Sequence, residues 1–570
     1  MCGIFCAINQ NTVSCIELNN TLKTVLNNRG PDVQDELLLG NVLLSGSVLW
    51  QQGESIQKQP VIEGDCVLLF NGDLYNLEKP DSMSDTLWLA KRLSECHCDE
   101  EILAVLKELE GPYCLILYTN QMLYFARDAL GRNSLIIEHN QQGFHLLSTS
   151  FYSGIDELST LELPPLGLYK LKIDTLSSCV LFPWQTLNEY THHQLSTLDL
   201  AMGWKTMIKR TISPDWLLKS QLDFDFDFYK VAYIDNHEQL YENLLSFPQI
   251  QLALATFNKL LQSSVASRVK TPPFCRDCLK IVQNTRCTHA KVCILFSGGI
   301  DCTVLAILAD RYVPAEEPIE LINVAFERIT AQNTAATQEY WNVPDRKTAL
   351  QSYTELKRIC PKRCWNLIEV DVNRQELQLH LSKHIHHLIY PLQTVLDESL
   401  GCAFWFATHT TYSSARVAVI GSGADELFGG YNRHRNAYRH CLGDDRERQL
   451  VVQNELEKDW QRIPARNLAR DDRVIADNGK TARAPFIEEN VVQFVRSLEP
   501  KQKCCYSFPE GVGDKLLLRL YGYQLGLRDA VLLKKRAIQF GSRIADKKQH
   551  AAQHSIYLQF KLANSLGNKS

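Results

Sequence analysis

A mixed α/β chain folded as two bodies in series is what the sequence predicts, on three observations. Up to about residue 184, short apolar runs are separated by Gly, Asn and Asp turns, as in a strand-rich body. From about residue 250, helical patterns alternate with apolar strands. Within that second part, two glycine-rich turns each follow a buried strand: Ser297-Gly298-Gly299 after Val292–Phe296, and Gly421-Ser422-Gly423 after Val417–Ile420.

Taken in order, Cys2–Ile8, Val42–Trp50, Cys66–Phe70, Tyr113–Tyr118, Leu123–Ala126, Ser134–Ile137 and Phe144–Leu147 read as short strands. Helical patterns fall at Ile16–Asn28, Ser84–Glu95 and Asp99–Glu108. This gives a first domain over residues 2–184. Residues 185–285 are irregular and read as a linker or helical region of unclear role. They include Asp223-Phe224-Asp225-Phe226-Asp227-Phe228, an alternation that fits either an edge strand or a disordered docking segment. The second domain is expected over 286–545, with a helix running on from Thr303 to Leu308. The polar stretch 546–570 is expected as a loose tail.

Composition narrows the classes. The 570 residues are 45% apolar, enough for sizeable cores, and carry a net charge of −5 with both signs scattered. Nothing in that balance calls for nucleic acid or an anionic membrane. No window approaches ~18 continuous apolar residues, so no membrane span is expected. The start, MCGIFCAINQ, lacks the basic and apolar pattern of a signal peptide. The 19 cysteines are scattered, several within apolar strands, which fits buried thiols of a cytosolic protein.

Cys2 follows the initiator Met directly. Once Met1 is removed, the α-amino group of Cys2, with an ordinary pKa of about 7.7–8.0, can serve as base for its own thiol. Asn71-Gly72 offers a side-chain amide and a glycine N–H suited to an oxyanion. Asn28-Arg29-Gly30-Pro31-Asp32 and Arg127-Asp128-Ala129-Leu130-Gly131-Arg132 are further polar turns. In this order the stretches resemble the class II, N-terminal-nucleophile glutamine amidotransferases, whose hallmarks are MCGI, RGPD, NGE-x-YN and RD-x-x-G-x-x-P. The resemblance implies a four-layer αββα domain with Cys2 as nucleophile and Asn71 and Gly72 holding the oxyanion. It also implies Asp85 as the acid that receives the substrate α-ammonium. One position departs. Ser47 stands where an arginine is expected to clamp the substrate carboxylate, a loss of roughly 1.5–3 kcal/mol. Arg29 is the candidate to reach across as a substitute.

The strand–turn–helix at Val292–Leu308 aims backbone N–H groups at one point, and the helix dipole adds its positive end. Two glycines let the backbone approach phosphate oxygens, and Asp301 sits where a phosphate-bound magnesium wants a carboxylate. Asp425, beyond the second glycine turn, could supply the opposite ligand. SGGID resembles the PP-loop of ATP pyrophosphatases, and its pairing with Gly421–Tyr431 resembles the asparagine synthetase and β-lactam synthetase domains. The implied second domain is an α/β PP-loop fold. Ser297, Gly298, Gly299, Asp301, Val324 and Gly421 would bind ATP, and Asp301 and Asp425 would hold Mg2+. The activity implied is an ATP-dependent amide ligase in which ammonia from glutamine meets an adenylated carboxylate, expected to be aspartate. A homodimer is a further expectation.

Three more positions depart from that resemblance: Leu396 where an arginine is expected, Ser422 for a glutamate and Ala537 for a lysine. They keep two alternatives open, an ATP-fold binding protein without amidotransfer and a ligase acting on another carboxylate. Cys275, Cys278, Cys287 and His289 lack the usual zinc spacing. His384–His387 reads as a polar helix face, and Cys504-Cys505 needs no redox role.

Overall fold

The computed structural model describes residues 2–9, 20–140, 143–152, 159–219, 223–271, 288–327, 341–545 and 553–555. Among them the first half holds β1 (Gly3–Asn9), β2 (Val33–Leu39), β3 (Val42–Val48), β4 (Val61–Glu63), β5 (Cys66–Gly72), β6 (Tyr113–Thr119) and β7 (Met122–Arg127). It continues with β8 (Ile136–Asn140), β9 (Gly143–Leu147), β10 (Ser159–Glu162), β11 (Gly167–Lys172), β12 (Ser178–Pro183) and β13 (Lys205–Ile208). Two sheets result, ordered β10-β8-β9-β1-β3-β2 and β13-β12-β11-β7-β6-β5-β4.

Alternation along each strand explains the layering. Ile4, Cys6 and Ile8 of β1 meet Leu69, Cys114 and Phe125 of the other sheet in one buried cluster. Phe5 and Ala7 point the opposite way, onto Leu26 of the helix Asn20–Arg29. On the far side, Leu68, Phe70 and Leu115 pack on Leu89 and Ile102 of the helices Asp85–Ser94 and Asp99–Lys107. The order is helix, sheet, sheet, helix, the αββα sandwich expected. Of the residues 16–28 read as a helix, those before Asn20 lie outside the described residues.

The second half is built on a five-stranded parallel sheet: β14 (Val292–Leu295), β15 (Ile319–Phe326), β16 (Trp365–Val372), β17 (Val417–Val419) and β18 (Thr481–Arg483), ordered β16-β15-β14-β17-β18. Strand order reverses at β14, so the crevice beyond the ends of β14 and β17 is a topological switch point, where doubly wound sheets bind ligands. Both glycine-rich turns open there. Helices Ile300–Tyr312 and Leu516–Gln524 share one buried cluster with β14, and helices Val395–Thr408 and Ala469–Ala476 pack on the other face.

Of the stretch 185–285, expected as a linker or helical region of unclear role, the described residues are divided between the two halves. Helix Glu189–Met202 leads into β13, which pairs in parallel with β12 and extends the second sheet past residue 184. Helix Pro248–Arg268 lies in the main core of the second half through Phe257, Leu261 and Val265. The Asp–Phe alternation is neither an edge strand nor a docking segment. Phe224, Phe226 and Phe228 are all buried in that core, Phe224 edge-on to Phe494 with centroids 5.7 Å apart. Within the expected tail, residues 553–555 pair with the chain at Thr394, and Ser555 N donates to Gln393 O at 2.8 Å. The remainder of 546–570 lies outside the described residues, as do Cys275, Cys278 and Cys287. No described helix is long and apolar enough to cross a membrane.

Candidate active sites

Strand register brings the first site together. Cys2 precedes β1, whose Gly3 is opposite Ser47 of β3, while Asn71 and Gly72 end β5 opposite Cys114 and Tyr113 of β6. The Cys2 backbone nitrogen donates to Asn71 Oδ1 at 2.7 Å, so Asn71 holds the nitrogen that removal of Met1 would free. Cys2 Sγ accepts from Gln59 Nε2 at 3.4 Å, and Gln59 is fixed by a two-way pairing with Phe70, Nε2 to O at 2.9 Å and N to Oε1 at 2.7 Å. Gly72 is obligatory: a Cβ there would stand 2.4 Å from Pro112 O.

The expected substrate contacts are differently employed. Ser47 donates to Asn27 Oδ1 at 2.9 Å. Asp85 is buried, its Oδ2 accepting from Leu74 N at 2.6 Å and Gln52 Nε2 at 2.8 Å, with Lys79 Nζ 3.3 Å from Oδ1. Burial raises its pKa, the Leu74 N–H opposing. Arg29, fully buried, bonds Cys2 O at 3.3 Å and pairs with Asp472 at 3.1 Å, leaving Nη1 without a hydrogen-bond partner. Gln52, Gln59 and Lys79 carry no sequence signal, because their roles arise only from packing.

The second site is a cavity of about 490 Å³ at the switch point. One wall includes Ser297, Asp301, Val324, Gly421 and Asp425. Gly298 has φ +78°, and a Cβ on it would stand 2.3 Å from Thr348 O. Thr348 Oγ1 donates to Ser297 O at 2.7 Å and Ser352 Oγ to Gly298 O at 2.7 Å. With both carbonyls pinned to helix Pro344–Ile359, the planar trans peptides turn the N–H groups of Gly298 and Gly299 away from it. Gly299 is the N-cap of helix Ile300–Tyr312.

Asp301 and Asp425 do face one another, across a lysine absent from the expected site. Lys515 Nζ lies 2.8 Å from both Asp301 oxygens and 2.9 Å from Asp425 Oδ1, and Lys535 pairs with Asp425 Oδ2. Burial pushes the Asp425 carboxyl up, but Lys515 and then Lys535 outweigh it and hold it well below the usual range. Two such carboxylates are the hard-oxygen donors a divalent cation takes. Lys535, two residues before Ala537, brings an ammonium into the same cavity.

Across the cavity, Leu396 and Ser422 share the wall with Arg466, Arg470 and Asp471. Ser422 Oγ donates to Asp471 Oδ2 at 3.4 Å, and Arg470 grips Asp471 Oδ1 at 2.7 Å. The two sites lie on one buried interface. A void of about 20 Å³, room for about one water, is lined by Asn133, Asp472 and Ile420. Asn133 Nδ2 donates to Asn71 O at 2.8 Å, Asp472 pairs with Arg29, and Ile420 also lines the large cavity. Of the discounted groups, His384 Nε2 lies 2.6 Å from Asp477 Oδ2, and Cys504 and Cys505 are buried free thiols.

An N-terminal-nucleophile sandwich joined to a parallel sheet with a PP-loop turn defines the class: a glutamine amidotransferase-type domain fused to an asparagine synthase-type domain. The glutamine amidotransferase domain model matches residues 1–162 and the asparagine synthase model residues 280–557. An asparagine synthetase domain-containing protein of Drosophila melanogaster is 61% identical over 97% of this chain and 100% of its own length. Asparagine synthetase domain-containing protein 1 of Homo sapiens is 34% identical over 96% and 95%. The chain belongs to this asparagine synthetase domain-containing family.

Proposed function

We propose that the protein is an ATP-dependent amide ligase of asparagine synthetase type, fed with ammonia from glutamine at Cys2. The observation that carries this reading is the cavity in which the Ser297 turn, Asp301 and Asp425 share a wall. Ser297–Gly299 and the helix start behind them would hold the triphosphate of ATP, and Val324 and Gly421 would flank the nucleoside. Asp301 and Asp425 fit Mg2+, with Lys515 and Lys535 as local countercharge. Bound there, Mg2+ would neutralise phosphate charge and aid departure of pyrophosphate.

At the first site the Cys2 amine takes the thiol proton, and the sulfur adds to the carboxamide of glutamine. Ammonia leaves, and water releases glutamate from the thioester. At the second site a carboxylate oxygen of the acceptor, aspartate in this reading, attacks the α-phosphorus of ATP and pyrophosphate departs. Ammonia then attacks the acyl carbon and AMP leaves. Enclosure keeps water from the adenylate.

The test uses protein verified to lack Met1, supplied with ATP, Mg2+ and aspartate. AMP and asparagine should form with either glutamine or ammonium, and Cys2→Ala should abolish only the glutamine-driven reaction. No AMP with ammonium would refute the ligase. A second reading is favoured by Asp85 and Ser47, both already engaged: the amidotransferase half serves as scaffold, and ammonium but not glutamine supports turnover.

A further inference from the structure

Resting on that ligase reading, we propose that Arg466 determines acceptor specificity by binding the second, non-reacting carboxylate of a dicarboxylic acceptor. Arg466 lies in the five-residue π-helical turn Pro464–Leu468, at the junction of helices Asp445–Ile463 and Ala469–Ala476. Such turns interrupt a helix at some cost and concentrate at functional sites. This one pushes Arg466 and Asn467 into the cavity wall.

The turn is anchored on both sides of Arg466. Asn467 Nδ2 donates to Glu426 Oε1 at 2.8 Å, and Pro464 O accepts from Arg127 Nη2 at 3.1 Å. Arg466 itself is uncommitted. It donates no hydrogen bond among the described residues, and its one ion-pair contact is Nε at 3.9 Å from Asp397 Oδ1. Asp397 is already engaged as the capping partner of Thr394, and Arg470 stands 3.4 Å from it.

Its neighbours are committed elsewhere. Arg470 is spent on Asp471, and Arg433 pairs with Asp459 while stacking on Tyr431 at 4.6 Å. The Arg466 side chain is 35% exposed, so most of it lies in the wall. A half-buried guanidinium at the cavity wall, hydrogen-bonded to no described acceptor, is free to take an anion, and its planar fork matches a carboxylate. Leu396 on the same cavity contributes no charge, and Arg462 and Arg536, which also reach it, are exposed, so Arg466 is the half-buried guanidinium left uncommitted on this wall.

The experiment measures pyrophosphate release by the full chain with ATP, Mg2+ and ammonium, using L-aspartate, succinate and butyrate as acceptors. Ammonium removes any dependence on Cys2. The wild type should favour the dicarboxylates over butyrate in kcat/KM by about tenfold or more, the scale of one charged hydrogen bond. Arg466→Ala should raise the KM for the dicarboxylates by that factor and erase the preference. The KM for ATP and any turnover of butyrate should stay as they were, and Arg466→Lys should recover part of the loss. An unchanged dicarboxylate preference in Arg466→Ala would overturn the assignment and leave the ligase standing. So would an equal loss with all acceptors, or a raised KM for ATP, since either makes Arg466 structural. Absence of pyrophosphate from the wild type with all three acceptors would overturn the ligase reading itself.

Discussion

Asp345 is a carboxyl group placed in the wall where phosphate charge would arrive, and its titration is therefore informative. Burial pushes its pKa up to about 7, with Lys535 and Arg536 opposing the rise. A folded value above the ordinary 3.8 means that folding favours the protonated form. Its contribution to stability is complete below that ordinary value and is lost as pH rises through about 7. Ionisation also adds a negative charge to a cavity built for anions. ATP affinity should fall several-fold between pH 6 and 8 in the wild type, and Asp345→Asn should flatten that part of the profile. Calorimetric titration with ATP at the two pH values measures this, and a slope unchanged in the variant excludes Asp345 as its source. A second residue-scale prediction concerns Asp425. Asp425→Asn leaves Lys515 and Lys535 buried against half their countercharge, at a cost of about 3–5 kcal/mol by the usual measure of a broken buried pair. Chemical denaturation should report most of that loss, and Mg2+-dependent pyrophosphate release should disappear with it.

At the scale of elements, the turn after β14 works because the neighbouring helix Pro344–Ile359 holds it. Gly298→Ala places a Cβ against Thr348 O in a left-handed conformation, costing about 1–3 kcal/mol, and forces the pinned carbonyls to move. The expected result is a raised KM for ATP with glutamine hydrolysis by Cys2 unaffected, assayed separately as glutamate release. This turn was legible in the sequence because strand, glycines and helix start are contiguous, and the same holds for Cys2 and for Asn71-Gly72. What escaped was non-local. Lys515 reaches Asp301 from 214 residues away. Lys535, one of the neighbours of Ala537 that could stand in for the missing lysine by a change of backbone register, enters the cavity through a register that only the fold reveals. Phe224, Phe226 and Phe228 alternate as a strand would, yet their burial against Phe494 and the helix Pro248–Arg268 demands an irregular backbone. A pattern of hydrophobicity reports which side chains are inside; it does not report what they pack against.

Over the whole molecule, the halves are joined by buried charge. Arg473 pairs with Glu162 and donates to Ser134 Oγ at 2.9 Å, Arg132 pairs with Glu489, Arg416 with Asp32, and Arg483 Nε lies 3.0 Å from Asp73 Oδ2. Buried ion pairs contribute little net stability but fix one geometry sharply, since any other docking strands a charge. That sharpness is what a void of about 20 Å³ between two sites requires. Arg473 is the place to test this, because it binds Glu162 and Ser134 in the first half and the carbonyls of Leu388 and Ile389 in the second. Arg473→Ala should destabilise the chain by about 3 kcal/mol, the lower end for an orphaned buried partner. It should also uncouple the reactions, so that glutamate released from glutamine exceeds AMP formed while the ammonium-driven reaction keeps its rate. Measuring both products in one assay decides the matter: a ratio that stays at the wild-type value in a correctly folded variant would show that the charged interface carries no part of the nitrogen transfer.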